Sequence, residues 1–201
     1  MKPLLIVVEG LDGCGKSTLA HGLAKALGAV QMTTPSDALR SLRGEILDGL
    51  RHDPLAVELF YAATVQAASA EIGEHLSAGR SVVVDRYWLS TVVYARQRRD
   101  FAELLEIERR LLPADVTVWL DVPLSVRRAR LEARGQSAAD RETLSEEMDA
   151  ALRRGYLAAS RRPVVGRFHR LDAGSMTPGA LVAAVRLGVM DALASSAVRP
   201  A

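Results

Sequence analysis

A glycine-rich segment near the start of the chain has the residues of a loop that surrounds a phosphate group. Residues 10–17 read Gly-Leu-Asp-Gly-Cys-Gly-Lys-Ser, which fits the spacing G-x-x-x-x-G-K-[ST]. Glycines let successive backbone N–H groups point inward at an anion, and the positive end of a following helix adds to the attraction. In such a loop Lys16 would reach the β- and γ-phosphates of a nucleoside triphosphate, and the Ser17 hydroxyl would bind Mg²⁺.

The segments on either side of this loop favour phosphate binding over a chance glycine-rich turn. Residues 4–8 are a continuous apolar, β-branched run, which is typical of a strand buried on both faces. Residues 17–27 have the apolar spacing of an amphipathic helix. The motif therefore lies between a strand and a helix, as phosphate binding requires. Cys14 occupies a variable position of the loop and is predicted to fill space, not to act as a nucleophile.

Strands and helices alternate along the rest of the chain. Two more runs, 81–85 and 116–121, have the pattern of buried strands, and a weaker candidate at 163–171 carries three basic residues. Helical patterns occupy 17–27, 37–50, 54–78, 102–112, 123–134, 145–160 and 178–193. This order predicts an α/β fold with right-handed crossovers and a mostly parallel sheet.

The composition is that of one ordinary globular domain. The chain has 201 residues, of which 49% are hydrophobic and 25% charged, and these values exclude a disordered chain or a membrane bundle. The apolar segment 3–8 is too short to span a membrane and runs directly into the glycine-rich loop, so it is interpreted as a strand and not as a signal peptide. We expect a cytoplasmic protein with a single domain over residues 1–201.

The cysteine, histidine and arginine contents argue against a zinc site and are compatible with a phosphorylated ligand. The single cysteine cannot form an intramolecular disulfide, and the four histidines lack metal-ligand spacing, so no zinc site is expected. All but three of the 26 Lys and Arg residues are arginines, whose planar donors suit phosphate, although a solvated surface is the alternative for most of them. No basic stripe interleaved with aromatic residues is present, so no nucleic-acid partner is expected.

A phosphate-binding loop by itself serves kinases, GTPases, motor ATPases and regulatory switches. The Asn-Lys-x-Asp signature of guanine-binding proteins is absent from the chain, and a large ATPase machine would need more residues. A small kinase is the simplest remaining enzyme class. A nucleotide-sensing protein that transfers no phosphate, and a kinase that acts on a non-nucleotide small molecule, are the alternatives.

Three separated motifs together resemble the thymidylate kinases and their close relatives among the nucleoside monophosphate kinases. They are residues 9–18, then Asp85-Arg86-Tyr87 followed by Ser90 and Tyr94, then residues 120–123 leading to Arg134-Gly135. The resemblance implies a P-loop nucleoside monophosphate kinase fold, in which helices cover both faces of a five-stranded parallel sheet. It also implies transfer of the γ-phosphoryl group of ATP to the 5′-phosphate of a nucleotide, and a homodimer.

The resemblance assigns roles to residues at both ends of the transfer. It implies that the loop residues Gly10, Gly13, Cys14, Gly15, Lys16, Ser17 and Thr18 hold ATP. Ser17 and Asp85 would organise Mg²⁺ directly or through water. Arg86 would bind the acceptor phosphate, with a surface ion pair as the alternative, and Asp12 would lie near the 3′-hydroxyl of the acceptor sugar, with a local backbone cap as the alternative.

A polar segment at about 135–147 resembles the family's lid, although an ordinary loop between two helices is the alternative. The phosphate-binding loop has Gly13 where some members of the family place an arginine. Arg141 therefore resembles the lid arginine that closes over the transferred phosphoryl group, with an exposed arginine in a solvated loop as the alternative. Arg134 resembles the residues around the adenine of ATP.

The acceptor side departs from the thymidylate kinase pattern. The family usually has a phosphate contact just after its second strand. Here Arg40 or Arg43, on the helix that follows, is the candidate for it, with a solvated helix residue as the alternative for either, and Tyr94 is a further acceptor-binding candidate. Phe60 matches the aromatic that lies against the base, although a Phe on an amphipathic helix is more often a core residue. Thr64 stands where the family has an arginine that reads the thymine carbonyl. Other residues, such as Trp88 after Asp85-Arg86-Tyr87, resemble the UMP/CMP kinases of this superfamily. We place dTMP first as acceptor, followed by dUMP, UMP and CMP.

Overall fold

A parallel sheet forms the centre of the molecule. The computed structural model describes residues 2–98, 104–136, 140–141 and 143–196. Within these residues the strands are β1 (Leu5–Gly10), β2 (Val30–Thr33), β3 (Val82–Asp85), β4 (Val116–Asp121) and β5 (Arg167–Asp172). They pair in the order β2-β3-β1-β4-β5, and every pairing is parallel. The predicted five-stranded parallel sheet is confirmed.

The register of the sheet brings three strand ends together. Val8 of β1 lies opposite Asp85 of β3, and Gly10 lies opposite Leu120 of β4. Because the strands are parallel, the loops that follow β1, β3 and β4 leave the sheet at the same edge. All residues of these three strands are buried, which explains their continuous apolar sequences.

Helices cover both faces of the sheet. They are α1 (Lys16–Leu27), α2 (Asp37–Leu50), α3 (Pro54–Ser77), α4 (Trp88–Arg98), α5 (Leu104–Glu108), α6 (Leu124–Arg134), α7 (Glu146–Ala159) and α8 (Pro178–Ser196). Successive β1 side chains point to opposite faces: Ile6 and Val8 pack in a core with residues of α1 and α8, whereas Leu5 and Val7 pack with residues of α3, α4 and α7. The sheet therefore separates two hydrophobic cores.

Helix α2 differs from the other long helices because none of its residues is buried. It begins at Asp37, three residues after the buried Thr34, and it contacts α3. Its more buried side belongs to residues such as Leu39, Ile46 and Leu50, which are only half-buried. Helix α2 thus lies at the margin of the fold instead of in a core.

Two sequence predictions differ from the structure in their limits, and one helix was not predicted. The candidate strand at 163–171 is a short 3₁₀ helix, Pro163–Val165, followed by β5, because Gly166 with φ +63° separates them. The predicted helix at 102–112 is present as α5 over Leu104–Glu108, and residues 102–103 lie outside the described residues. Helix α4 was not predicted as a separate helix.

Candidate active site

The phosphate-binding loop connects β1 to α1 at the edge where the strand ends meet. Gly13 has φ +82°, and a Cβ there would lie 2.9 Å from Leu131 Cγ, so both the backbone conformation and the space require glycine. Gly15, at the N-cap of α1, has φ +99°. Gly13, Gly15, Ser17 and Thr18 line a large cleft, whereas Cys14 is buried in the core behind the loop.

Lys16 lies at the start of α1 and is held by the loop itself. Its side chain is 7% exposed, and Nζ donates a hydrogen bond to the Leu11 carbonyl at 3.1 Å. Nζ also lies 3.7 Å from Asp12 Oδ1. Lys16 also lines the cleft at the N-terminus of α1, so an anion bound there would meet both the ammonium group and the positive end of the helix.

Ser17 and Asp85 form an oxygen pair beside Lys16. The Ser17 hydroxyl donates to Asp85 Oδ2 at 2.5 Å, and Asp85 is buried at the end of β3. Among the described residues, Asp85 Oδ1 has no hydrogen-bond partner. A hydroxyl and a carboxylate with a buried unpartnered oxygen fit a divalent cation such as Mg²⁺, which binds few protein oxygens and completes its coordination with phosphate and water.

Arg86 leaves the end of β3 in the left-handed region, with φ +67°. Its Nη2 donates to Asp12 Oδ1 at 2.5 Å, and its Nη1 donates to Ser90 Oγ at 2.9 Å. The guanidinium lies 5.7 Å from the centroid of the Tyr94 ring. The structure therefore brings together Asp12, Arg86 and Tyr94, the acceptor-binding candidates on the loop, β3 and α4.

The electrostatics of this group keep its charges in place. Burial by itself would raise the pKa of the Asp12 carboxyl, but Arg86 and Lys16 hold that pKa well below its ordinary value. Burial likewise opposes the charge on Arg86, whereas Asp12 raises the pKa of the guanidinium well above its ordinary value. Asp12 and Arg86 are therefore both ionised at neutral pH, and an incoming phosphate would compete with Asp12 for the arginine.

The cleft has a volume of about 1350 Å³ and a basic wall. Its lining includes Arg40, Arg43 and Arg51 on the α2 side and Arg130 and Arg134 of α6. Arg40 also donates a hydrogen bond to the Thr33 hydroxyl at the end of β2. The space and the charge suit a ligand with several phosphate groups.

Helix α3 forms part of the wall of the cleft. Tyr61 and Thr64 line the cleft, and the buried Thr64 hydroxyl donates to the Tyr61 carbonyl at 2.7 Å. Phe60 does not line it and packs against the Tyr61 ring, with 5.3 Å between ring centroids. Because one helical step turns the side chain by about 100°, Tyr61 faces the cleft, and Phe60, the base-contact candidate of the resemblance, lies outside the cleft lining.

The described part of the predicted lid lies beside α6. Residues 137–139 and 142 lie outside the described residues. Asp140 is buried and accepts a hydrogen bond from Arg134 at 2.9 Å, whereas Arg141 is exposed and lies outside the cleft wall. Arg134 and Arg141 are therefore not together at the cleft in this conformation.

Arg127 of α6 is a residue that sequence reasoning missed. It is fully buried, its Nε donates to the Asp12 carbonyl at 2.8 Å, and its Nη1 pairs with Asp149. Its Nη2 reaches the Thr143 hydroxyl at 3.3 Å. Arg127 thus ties the phosphate-binding loop to α7 and to the end of the lid segment. The only signal in the sequence was the run of arginines on α6.

Comparison with known proteins agrees with this geometry. The family model for thymidylate kinase matches residues 8–177. A thymidylate kinase of Glaesserella parasuis is 35% identical over 156 residues, which cover 70% of this chain and 74% of the relative. One from Akkermansia muciniphila is 32% identical over 182 residues, which cover 86% of each chain.

The chain belongs to the thymidylate kinase family. Membership makes it a phosphotransferase of the nucleoside monophosphate kinase class, with ATP as the phosphate donor. A solved thymidylate kinase of Candida albicans has the same fold, with a TM-score of 0.72 and 21% identity, over 94% of this chain and 92% of that chain. Among the described residues no helix is long and apolar enough to cross a membrane. The predicted homodimer and cytoplasmic location stay predictions.

Proposed function

We propose that this family member transfers the γ-phosphoryl group of ATP to dTMP, giving ADP and dTDP, with Mg²⁺ as cofactor. One observation supports this most directly: Lys16, the Ser17–Asp85 pair and Arg86 line the same cleft. The donor-binding and acceptor-binding candidates therefore share one space, and Asp12 lies beside both Lys16 and Arg86. The relatives named thymidylate kinase make dTMP the first choice of acceptor.

The acceptor phosphate is already anionic, so the transfer requires no strong general base. Catalysis then consists of holding two polyanions in line and balancing the charge that spreads over the transferred group. Lys16 supplies a fixed positive charge at the donor side, because the Leu11 carbonyl and Asp12 restrain its ammonium group. Arg86 supplies a fixed fork of donors at the acceptor side.

Ser17 and Asp85 would hold Mg²⁺, which when bound neutralises charge on the β- and γ-phosphates. The contribution of these two residues is to place a hydroxyl and a carboxylate oxygen next to Lys16. Asp85 is buried at a strand end, so its carboxylate position is set by the sheet and does not depend on a mobile loop.

Binding of the acceptor would replace the ion pair between Arg86 and Asp12. When its phosphate binds Arg86, the carboxylate of Asp12 loses one of its two cationic neighbours and becomes available to the 3′-hydroxyl of the sugar. Tyr94 lies under the guanidinium and limits its movement. Arg40 would reach the phosphate from α2, and Arg134 and Arg141 would approach the donor from the lid side.

A panel assay tests the proposal. The protein is incubated with ATP and Mg²⁺ and with dTMP, dUMP, CMP or UMP, and both ADP and the nucleoside diphosphate are measured, with and without EDTA. We expect dTDP in equal amount to ADP, the highest kcat/KM for dTMP, and no product with EDTA. A higher kcat/KM for CMP or UMP would move the acceptor assignment, and ATP binding without diphosphate formation from any acceptor would favour a nucleotide sensor.

The residue at position 64 is expected to set the preference for thymine. Thr64 has its hydroxyl proton committed to the Tyr61 carbonyl, so it offers the base no donor in place of an arginine. A hydrogen bond to a charged donor contributes about 1.5–3 kcal/mol, so Thr64→Arg should raise the dTMP to CMP ratio of kcat/KM by roughly ten- to a hundredfold.

Ala63→Arg is the matched control, because residue 63 is exposed on the neighbouring position of α3. It adds the same charge to the same helix and should leave the ratio of the two acceptors unchanged. An unchanged ratio in Thr64→Arg itself would show that this position does not face the base.

A further inference from the structure

Glu9 is a fully buried acid that lies next to the active site but not in it. It is the fifth residue of β1, and its side chain points to the same side of the sheet as Val7, toward α4 and α7. It does not line the cleft, so no substrate would touch it. Its carboxylate has no place in the phosphoryl transfer described above, and a buried carboxylate is costly unless its oxygens are well partnered.

Both oxygens of Glu9 are partnered by the segment that follows Arg86. Oε1 accepts the backbone N–H of Tyr87 at 2.9 Å and that of Ser90 at 3.1 Å. Oε2 accepts the Ser90 hydroxyl at 2.5 Å and lies 3.5 Å from the Tyr156 hydroxyl of α7. The carboxyl group therefore accepts two N–H groups at the beginning of α4. Burial raises its pKa above the ordinary value, although the Ser90 hydroxyl, Arg86 and these two N–H groups each act to lower it.

Ser90 connects Glu9 to the guanidinium of Arg86 by two hydrogen bonds. Its Oγ donates to Glu9 and, at 2.9 Å, accepts a hydrogen bond from Arg86 Nη1. A hydroxyl whose proton is committed to a carboxylate presents only lone pairs to its other neighbours. Because a guanidinium can only donate, Ser90 Oγ accepts from Arg86, and Glu9 holds the hydroxyl in place by accepting its proton.

The backbone of Arg86 is restrained as well. Its left-handed conformation is unfavourable for a residue other than glycine, and it persists only where neighbours hold it. The Arg86 N–H donates to the Val8 carbonyl at 2.9 Å, and the Arg86 carbonyl accepts the Thr34 hydroxyl at 2.8 Å. Glu9 restrains the next peptide group through Tyr87, so the two sides of the residue are anchored to β1.

We propose that Glu9 is a positioning residue for the acceptor phosphate: it fixes the backbone of Arg86 through Tyr87 and its guanidinium through Ser90. This inference rests on the proposed function, since it assigns the acceptor phosphate to Arg86. Asp12 and Ser90 hold the two terminal nitrogens of the guanidinium from different sides. The phosphate can displace Asp12 from Nη2. Ser90, held by Glu9, then keeps the guanidinium in its present position through Nη1.

Glu9→Gln tests the proposal, because glutamine has the size of glutamate but lacks its charge and places an N–H₂ group where one oxygen was. The dissociation constants of dTMP, thymidine and ATP are measured by titration calorimetry for the wild type and the variant. We expect dTMP to bind about tenfold more weakly, because a charge-assisted network behind its phosphate contact is weakened. Thymidine, which lacks the phosphate, and ATP should change less than twofold.

An equal loss for dTMP and thymidine would overturn the proposal, as would no loss for either, since Glu9 would then support the fold alone. Wild-type protein that does not bind dTMP, or does not phosphorylate it, would refute the proposed acceptor instead. In that case the monophosphate and nucleoside pair preferred in the panel assay replaces dTMP and thymidine. Failure of the Glu9 proposal can thus be distinguished from failure of the dTMP assignment.

Ser90→Ala provides a second variant that keeps Glu9 and its two backbone N–H contacts and removes only the hydroxyl between Glu9 and Arg86. It should show the same selective loss of dTMP affinity, including if Glu9→Gln does not fold. Tyr156→Phe is the matched control. It removes a hydroxyl 3.0 Å from Ser90 Oγ but leaves the line from Glu9 to Arg86 intact, so the ratio of dTMP to thymidine affinity should stay within twofold. Equal losses in Ser90→Ala and Tyr156→Phe would contradict the proposal.

Discussion

Replacing Lys16 with alanine is expected to lower kcat by about 10²–10³-fold, the effect of removing a fixed charge that balances the transferred phosphoryl group. The lysine lies in the first turn of α1, where alanine is well tolerated, so the fold should stay intact. Its ammonium group is held by the Leu11 carbonyl and is 3.7 Å from Asp12. The measurement is steady-state kinetics with ATP and dTMP, together with a thermal unfolding curve.

Lys25→Ala is the control for this experiment. It makes the same substitution on the same helix at an exposed position in the last turn. The control should retain wild-type kinetics. Turnover close to that of the wild type in Lys16→Ala would refute the kinase mechanism, provided that the unfolding curve shows a folded protein.

Replacing Arg141 with alanine is expected to lower kcat by roughly 10²-fold or more and to change the KM for the acceptor much less. A lid arginine that meets mainly the charge of the transition state raises kcat and contributes little to ground-state binding. In the present conformation Arg141 is exposed, so this role requires the segment around it to close over the cleft. Kinetics at saturating ATP with varied dTMP separate the two constants.

Arg161→Ala is a suitable control because Arg161 is exposed in the turn after α7, outside the cleft wall. It should leave both constants unchanged. A wild-type kcat in Arg141→Ala, accompanied by a lower Tm, would assign Arg141 to the fold. Arg134, which already lines the cleft and binds Asp140, would then be the next candidate for the lid arginine.

The central strands β1, β3 and β4 were predictable because they are buried on both faces and therefore have mostly apolar sequences. The edge strand β2 was not identified from its own residues, since Val30–Thr33 is only partly buried and alternates weakly. Helix α4 was missed because it follows β3 after only two residues and carries β-branched and aromatic side chains, which favour strands in isolation. Packing against α7 and α3 overrides that preference.

The candidate site was predictable where it depends on strand ends. Ser17, Asp85, Arg86 and Asp12 follow neighbouring parallel strands, so the topology alone brings them together. The rotation of a helix about its axis is set by tertiary contacts, and sequence spacing did not reveal that Tyr61 faces the cleft in place of Phe60. A fully buried arginine such as Arg127 contradicts the usual preference of its residue type and was missed for that reason.

The marginal burial of α2 has a consequence for the entropy of acceptor binding. This helix carries Gly44 and Gly49, at which a Cβ would meet nothing within 4 Å, and each glycine lowers helix stability by about 1 kcal/mol relative to alanine. With no buried side chain to compensate, little free energy separates helical from frayed forms of the segment. Affinity for the acceptor therefore reflects the folding of this helix as well as the contacts it makes.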